Sequence, residues 1–226
     1  MAEAGGMVRR DWQQPKVIFL DAVGTLFGVK DSVGVAYSTI AQRFGVEADP
    51  IALNQAFFQS FKAAPPMAFP GIAMAEIPRL EYIWWEKIAA QTFQQVGLLE
   101  QFSDFSGFFA ALYTYFSTAD PWFIYPDVYR SLTYWQSQKI ELGVLSNFDT
   151  RIHSVLAALK LREYFTSITI STETGAAKPH PTIFATALAK HQCPAHSAWH
   201  IGDSFREDYP GAKAAGLRAI WLKRGE

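Results

Sequence analysis

Short apolar segments rich in β-forming residues alternate with helical patterns along this sequence, and this alternation constrains the fold more than any other feature. The first segment, Lys16–Asp21 (KVIFLD), predicts a strand that is buried on both faces. Further strands are predicted at Leu142–Ser146, Ser167–Ile170, Ala198–Gly202 and Arg218–Leu222, with helical patterns between them. Strands that alternate with helices indicate right-handed crossovers and a parallel α/β sheet.

The pattern changes between residues 31 and 119, where apolar side chains recur at the three- to four-residue spacing of amphipathic helices. Four such helices are predicted there, which is enough for a small bundle. We therefore divide the chain into a flexible tail at residues 1–15, a core formed by residues 16–30 and 120–226, and a helical unit at residues 31–119 that is inserted into the core.

Composition narrows the classes of protein that fit. Hydrophobic residues make up 50% of the chain and charged residues 18%, which is typical of a globular protein. The 20 basic and 21 acidic side chains leave a net charge of −1, without the basic excess of nucleic-acid-binding proteins. The single cysteine permits no internal disulfide. The longest uncharged run is too short for a membrane span, and the N-terminus shows no apolar signal segment. We expect a cytoplasmic protein without nucleic-acid or membrane partners.

Polar side chains follow four of the predicted strands, or the turns just after them. In chain order they are Asp21 and Thr25, then Ser146 and Asn147, then Lys178, and finally Asp203, Ser204 and Asp208. The carboxyl ends of parallel strands meet at one edge of the sheet, which is where α/β proteins bind ligands. We therefore expect these side chains to lie together in one site.

The charges of this expected site indicate a metal. Three carboxylates and one lysine sum to −2, and an uncompensated cluster of that kind raises the pKa of its own carboxyl groups. A divalent cation brings the sum to zero, and carboxylate, carbonyl and water oxygens are ligands that suit Mg²⁺. With the hydroxyls of Thr25 and Ser146, such a site suits phosphoryl transfer, in which Asp21 is the nucleophile that forms an aspartyl-phosphate.

The same residues resemble the four ordered motifs of the haloacid dehalogenase superfamily: Asp21-Ala22-Val23-Gly24-Thr25-Leu26, Leu145-Ser146-Asn147, Lys178-Pro179, and Gly202-Asp203-Ser204 with Asp208. The helical stretch between the first two motifs resembles the cap that this superfamily inserts after its first strand. The resemblance covers roughly residues 16–222. It implies a three-layer Rossmann-like α/β sandwich with a parallel sheet and an inserted α-helical bundle cap, acting on a small phosphorylated substrate.

The resemblance also implies a role for each motif residue. The implied catalytic residues are Asp21 as nucleophile, Thr25, Ser146 and Asn147 for phosphoryl binding, and Lys178 for charge neutralisation. The implied Mg²⁺ ligands are Asp21, the backbone carbonyl of Val23, Asp203 and, directly or through water, Asp208. We also expect substrate contacts from residues at the cap hinge and on the cap, namely Phe27, Lys30, Trp84 and Trp85.

One position departs from the superfamily's pattern. Its phosphatases usually carry a second aspartate two residues after the nucleophile, which protonates the leaving group, but this chain has Val23 there. General acid–base assistance is worth about 10²–10⁴-fold in rate, so we expect either a preference for leaving groups of low pKa or another proton donor. Asp149 is a candidate donor, although its position before the helix predicted at Thr150–Leu159 also suits an N-cap.

Val23 leaves two alternatives open. The superfamily's 2-haloacid dehalogenases use no metal and need no leaving-group acid. Arg43 would then bind the substrate anion, whereas the paired acids Asp203 and Asp208 argue against a metal-free site. The other alternative is a binding protein that keeps the fold and uses the cap as a docking surface.

Overall fold

The computed structural model describes residues 14–224, which contain a five-stranded parallel sheet and a separate two-stranded ribbon. The strands in chain order are β1 (Val17–Leu20), β2 (Phe27–Val29), β3 (Trp122–Ile124), β4 (Glu141–Ser146), β5 (Ser167–Ile170), β6 (Ala198–Gly202) and β7 (Arg218–Trp221). The order in the sheet is β5-β4-β1-β6-β7, and each neighbouring pair is parallel. The five strands predicted from the sequence are thus confirmed, with ends that differ by at most one residue.

The described residues, 14–224, form nine α-helices. In chain order they are α1 (Val33–Arg43), α2 (Pro50–Ala63), α3 (Ile77–Gln95), α4 (Phe105–Tyr115), α5 (Val128–Ser137), α6 (Ile152–Ala158), α7 (Ser171–Thr174), α8 (Pro181–Lys190) and α9 (Tyr209–Ala214). Successive side chains of a strand point to opposite faces, so Ile18 and Leu20 pack with α5 and α6, while Val17 and Phe19 pack with α8 and α9. The predicted three-layer Rossmann-like α/β sandwich is confirmed.

The register of the central strand decides which residues meet at the carboxyl edge of the sheet. Leu20 of β1 pairs with Val144 of β4 on one side and with Ile201 of β6 on the other. The next backbone N–H, that of Asp21, donates to the carbonyl of Ile201 at 2.9 Å. Residues that follow the three strands therefore emerge side by side at this edge.

Helices α1 to α4, which we call the helical insert, lie between β2 and β3 in the sequence and have a buried cluster of their own. Its side chains include Tyr37, Leu53, Phe93 and Phe108, which are almost completely buried. Aromatic pairs such as Phe93 and Phe108, with ring centroids 5.1 Å apart, add to the apolar burial. The helical insert thus packs around its own apolar cluster, which is separate from the two clusters that lie on the faces of the sheet.

A short antiparallel ribbon connects the helical insert to the core. Phe27 of β2 pairs with Ile124 of β3, and Val29 pairs with Trp122. The segment that enters the helical insert and the segment that leaves it therefore lie side by side. The sequence analysis did not predict these strands, because three residues are too few for an alternating pattern to be detected.

The predicted flexible tail, residues 1–15, lies outside the described residues except for its last two. Of these, Gln14 donates from its side-chain amide to the carbonyl of Gln138 at 2.7 Å. Within residues 14–224, the structure has no helix with the length and apolar character needed to cross a bilayer.

Candidate active site

A buried lysine joins two of the expected site carboxylates at the carboxyl edge of the sheet. The Nζ atom of Lys178 donates to Oδ1 of Asp21 at 2.6 Å and to Oδ1 of Asp208 at 2.5 Å. Lys178 is only 4% exposed. Burial alone would lower the pKa of its ammonium group, but the two carboxylates raise that pKa above its ordinary value. Lys178 is therefore a fixed cation between Asp21 and Asp208.

Asp203, directly after β6, is the third carboxylate of the cluster. It accepts a hydrogen bond from Oγ1 of Thr25 at 3.1 Å. Burial and the negative charge of Asp21 raise the pKa of Asp203 to about 6. Gly24 permits this approach, because its φ is +86° and a Cβ atom there would lie 2.3 Å from Oδ2 of Asp203. Glycine is thus required for both the backbone conformation and the proximity of the Asp203 carboxylate.

The Asp208 carboxylate is held from three sides. Besides the bond from Lys178, its Oδ1 accepts from Nε2 of His200 at 2.8 Å, and its Oδ2 accepts from the N–H of Ser204 at 2.9 Å. Burial alone would raise the pKa of Asp208, but Lys178 and His200 lower it below its usual range. The sequence analysis did not include His200 in the site, since a histidine within an apolar strand carries no pattern that reveals its partner.

The three carboxylates form a donor set that fits a divalent cation. One oxygen from each of Asp21, Asp203 and Asp208 lies within 4.8 Å of the others. Lys178 offsets one of the three negative charges, so a cation among these oxygens would relieve the remaining repulsion between Asp21 and Asp203. A set made of hard oxygen ligands is of the type that Mg²⁺ prefers.

The residues expected to bind the phosphoryl group lie beside this cluster. Ser146 is the buried last residue of β4. The side chain of Asn147 bonds the backbone of Lys178 in both directions: its Oδ1 accepts from the N–H at 2.7 Å, and its Nδ2 donates to the carbonyl at 3.0 Å. The same Nδ2 donates to Glu207 at 3.1 Å, which adds an acidic side chain that the sequence analysis missed. Asn147 thus links three of the four strand ends.

The two substrate contacts expected at the hinge take different positions. Phe27 is completely buried, with its ring centroid 5.2 Å from that of Trp122. The pairing of β2 with β3 places this ring in the core, so the expected contact of Phe27 with substrate stays a prediction without support from its position. Lys30 is exposed just after β2, and its backbone N–H donates to the carbonyl of Pro121 at 2.8 Å.

The two neighbouring tryptophans of α3 bind different partners. The indole N–H of Trp84 donates to the carbonyl of Pro65 at 3.0 Å. The indole N–H of Trp85 donates to Oδ2 of Asp149 at 2.6 Å, in the loop that follows β4. Trp85 therefore connects the helical insert to the core, whereas Trp84 contacts the proline-rich segment of the insert itself.

Asp149 is a counter-ion in this structure. It is completely buried, and Nη2 and Nε of Arg151 lie 2.6 and 2.9 Å from its two oxygens. Its Oδ1 also accepts from the backbone N–H of Arg151, while α6 begins only at Ile152. Because both oxygens already accept hydrogen bonds, we do not assign Asp149 the role of the proton donor that position 23 lacks.

A cavity of about 260 Å³ lies between the sheet edge and the helical insert. Val23 and Asn147 line it at the end next to the carboxylate cluster. We call it the aromatic cavity, because its other walls are formed mainly by rings, including those of Tyr37, Phe57, Phe58, Phe61, Trp85, Phe109 and Phe148. Of the four expected substrate contacts, Trp85 lines the aromatic cavity, and Phe27, Lys30 and Trp84 do not.

The fold and the site define a class of protein, the Rossmann-like α/β proteins that carry a cluster of polar residues at the carboxyl edge of a parallel sheet. Residues 15–216 match the haloacid dehalogenase-like hydrolase family, and the chain belongs to that family. A curated relative is the haloacid dehalogenase-like hydrolase domain-containing protein 3 of Bos taurus. It is 33% identical over 207 residues, which cover 92% of this chain and 81% of the relative.

Solved structures of the same fold include a magnesium-bound protein and a dehalogenase. The magnesium-bound structure of YfnB from Bacillus subtilis superposes with a TM-score of 0.73 at 15% identity, covering 93% of this chain and 89% of that one. L-2-haloacid dehalogenase from Xanthobacter autotrophicus gives a TM-score of 0.68 at 18% identity, covering 94% and 79%. At these identities the likeness shows the fold, so the reaction has to be argued from the site.

Proposed function

We propose that this protein is a metal-dependent hydrolase of the phosphatase type, which acts on a small phosphorylated substrate through an aspartyl-phosphate on Asp21. The observation that carries the proposal is the contact of Asp21 with the buried ammonium group of Lys178, beside two further carboxylates within 4.8 Å. A nucleophilic carboxylate needs a fixed orientation, and a phosphoryl group needs nearby positive charge. Lys178 supplies both.

Asp21 acts as the nucleophile in this proposal. Its Oδ1 accepts from Lys178, which leaves the second oxygen to attack phosphorus. The new bond joins that oxygen to phosphorus as the bond between phosphorus and the leaving oxygen breaks, and water later hydrolyses the aspartyl-phosphate. The hydroxyl of Ser146 and the backbone of Asn147 would hold the phosphoryl oxygens during both steps, as the family resemblance implies.

The metal that suits this site is Mg²⁺. Asp21, Asp203 and the backbone carbonyl of Val23 would hold it, and Asp208 would support it directly or through water. The bound cation supplies positive charge to the phosphoryl oxygens. Thr25 donates to Asp203 and so orients that carboxylate.

The leaving group has no proton donor at position 23. Val23 is 36% exposed and lines the aromatic cavity, but its side chain cannot transfer a proton. Leaving groups that depart as stable anions need no such assistance. We therefore expect selectivity for activated phosphates, such as aryl and acyl phosphates.

The two alternatives receive less support. In a dehalogenase, Arg43 would bind the substrate anion, but it is exposed at the end of α1 and is not among the residues that line the aromatic cavity. The three clustered carboxylates also suit a cation better than a halide. A binding protein would need neither the Lys178 contacts nor the carboxylate cluster.

Phosphate release from p-nitrophenyl phosphate by the purified protein tests the proposal. The assay compares Mg²⁺ with EDTA, and wild type with Asp21→Asn; Asp120→Asn is the matched control, since Asp120 is exposed before β3. Release that requires Mg²⁺, is lost in Asp21→Asn and is retained in Asp120→Asn supports the proposal. A folded protein that releases chloride from 2-chloropropionate but no phosphate would be a dehalogenase, and one that does neither would contradict the proposal.

A further inference from the structure

We infer that the natural leaving group is an uncharged aromatic alcohol, so that the substrate is an aryl or arylmethyl phosphate whose rings occupy the aromatic cavity. This inference rests on the proposed function and adds the chemical class of the substrate. Three features carry it: the position of the cavity next to the carboxylate cluster, the chemistry of its walls, and its lack of unpaired charge.

Two residues next to the proposed phosphoryl site line the aromatic cavity. Val23, which lines it, lies two residues after Asp21 in the same turn. Asn147 also lines it, and its side chain is bonded to the backbone of Lys178 at 2.7 and 3.0 Å. A phosphoryl group placed against the free oxygen of Asp21 would therefore have this cavity as its neighbour, and the organic part of the substrate would extend into it.

The walls of the cavity are suited to a flat apolar group. Phe58 and Phe61 of α2 leave 55% and 43% of their surface exposed, although both line the cavity. Phe61 also stacks on Trp85, with ring centroids 5.8 Å apart and an interplanar angle of 21°. Covering exposed aromatic surface with another ring is favourable both through apolar burial and through ring–ring contacts. A guest of this type would complete a ring cluster that is open on one side.

The charge inside the cavity is already balanced. Among the described residues that line it, Arg151 is the one cation, and Asp149 binds it through two bonds of 2.6 and 2.9 Å. Its Nη1 donates to the carbonyl of Tyr113 at 3.1 Å, and its guanidinium lies 3.8 Å from the centroid of the Tyr113 ring. A carboxylate or ammonium group on the leaving alcohol would find no unpaired partner, and burying such a group without a partner is costly.

The size of the cavity and the identity of residue 23 select the same class. A cavity of about 150 Å³ lined by apolar side chains is enough to bind benzene, so about 260 Å³ accommodates one or two rings. Within this class, phenols leave as far more stable anions than arylmethyl or alkyl alcohols, so aryl phosphates best suit a site with Val23 in place of a proton donor.

The test separates shape from leaving-group acidity. Benzyl and ethyl phosphate both release primary alcohols of high pKa, so their ratio of kcat/KM reports mainly on the fit of the ring. We expect wild type to favour benzyl phosphate by about tenfold or more, as is typical when a hydrophobic pocket is filled. The double substitution Phe58→Ala and Phe61→Ala should lower this ratio by at least about threefold, mainly through KM.

Ile51→Ala is the matched control, since Ile51 is 70% exposed on the same helix and does not line the cavity. It should leave the ratio unchanged. Acetyl phosphate, which has a small leaving group of low pKa, reports on the catalytic residues alone. If wild type hydrolyses acetyl phosphate but shows no preference for benzyl phosphate, or if the double variant keeps the preference, the inference is wrong and the phosphatase proposal stands. If acetyl phosphate is not hydrolysed with Mg²⁺, the phosphatase proposal fails, and this inference fails with it.

Discussion

The ammonium nitrogen of Lys178 lies 2.6 Å from a carboxylate oxygen of Asp21, and it is the cation that separates Asp21 from Asp208. Lys178→Met would leave the carboxylates of Asp21 and Asp208 close together without a cation between them. We expect this variant to be inactive and to lose about 3–5 kcal/mol of its free energy of unfolding. Added Mg²⁺ should stabilise it more than it stabilises wild type. Urea unfolding with and without Mg²⁺ measures both effects.

Lys62→Met is the control for this experiment, because Lys62 is exposed on α2. It should unfold as wild type does and keep its activity. Wild-type stability of Lys178→Met in EDTA would contradict the view that Lys178 compensates the repulsion between the carboxylates.

Gly24 and Gly45 provide a matched pair of backbone positions. Both have positive φ, +86° and +79°, but a Cβ atom would overlap Asp203 only at Gly24, since nothing lies within 4 Å at Gly45. Each substitution by Ala should cost about 1 kcal/mol in stability from backbone strain. Gly24→Ala should in addition weaken Mg²⁺ binding and reduce phosphate release, which calorimetric titration and the phosphatase assay would detect. Equal Mg²⁺ affinity in both variants would argue against a role of Gly24 in admitting the Asp203 carboxylate.

Val23→Asp introduces the proton donor that the chain lacks. Val23 is partly exposed at the wall of the aromatic cavity, so a carboxyl group there can reach a leaving oxygen. We expect kcat for ethyl phosphate to rise by up to about 10²–10⁴-fold, and that for p-nitrophenyl phosphate to change far less. Val23→Asn, of the same size but unable to donate a proton in the same way, is the control. An equal gain for both substrates, or a gain in Val23→Asn, would show that proton donation is not the missing function.

Trp85 and Trp84 allow one hydrogen bond to be measured against another. Trp85→Phe removes a donor from the buried carboxylate of Asp149, whereas Trp84→Phe removes one from the exposed carbonyl of Pro65. The apolar surface lost is similar in the two variants. We expect Trp85→Phe to be less stable than Trp84→Phe by about 1–3 kcal/mol, measured by urea unfolding. Equal stability would mean that Arg151 alone satisfies Asp149.

Glu81 makes stability depend on pH. It is completely buried, and its oxygens accept from the N–H and the hydroxyl of Thr150 at 2.9 and 2.5 Å. Burial raises the pKa of Glu81 above its ordinary value of 4.5, so the folded state binds this proton at a pH where the unfolded state has lost it. The contribution of Glu81 to stability is therefore largest at acidic pH and declines as pH rises through its pKa in the folded protein.

We expect the free energy of unfolding of wild type, relative to Glu81→Gln, to increase as pH is lowered from 7.5 towards 5. Glutamine has the same shape but does not titrate, so the difference between the two proteins isolates this group. Urea unfolding at four or five pH values would show the trend. A difference that is flat or of opposite sign would rule out a raised pKa at Glu81.

The sheet could be predicted from the sequence because its strands are short and rich in apolar residues, and all of them except the edge strand β7 are largely buried. Ser167–Ile170 and Ala198–Gly202 even have the predicted ends. The β2–β3 ribbon could not, since each strand has three residues and their partners are far apart in the chain. The inward orientation of Phe27 could not be predicted for the same reason, since it depends on that pairing and on contact with Trp122.

The candidate site shows a similar division. The expected polar residues follow the predicted strands, and the topology rule requires only that these strands be parallel. The bonds from His200 and Asn147 depend on side-chain directions that no local pattern encodes. The aromatic cavity joins residues from α1 to α4 with the loops after β1 and β4, so it exists only once the helical insert has packed against the core.

The ribbon formed by β2 and β3 has a consequence for how such a protein can diverge. Because Val29 pairs with Trp122, the chain leaves the core and returns to it at neighbouring positions. The whole helical insert is therefore one continuous segment of the sequence. Paired strands lie only about 5 Å apart, so a different segment could join the same two positions. Exchange or loss of the helical insert would leave the strand order of the sheet unchanged. A lineage could therefore replace the walls that select the leaving group as a single genetic segment, while Asp21, Lys178 and Asp203 are inherited unchanged.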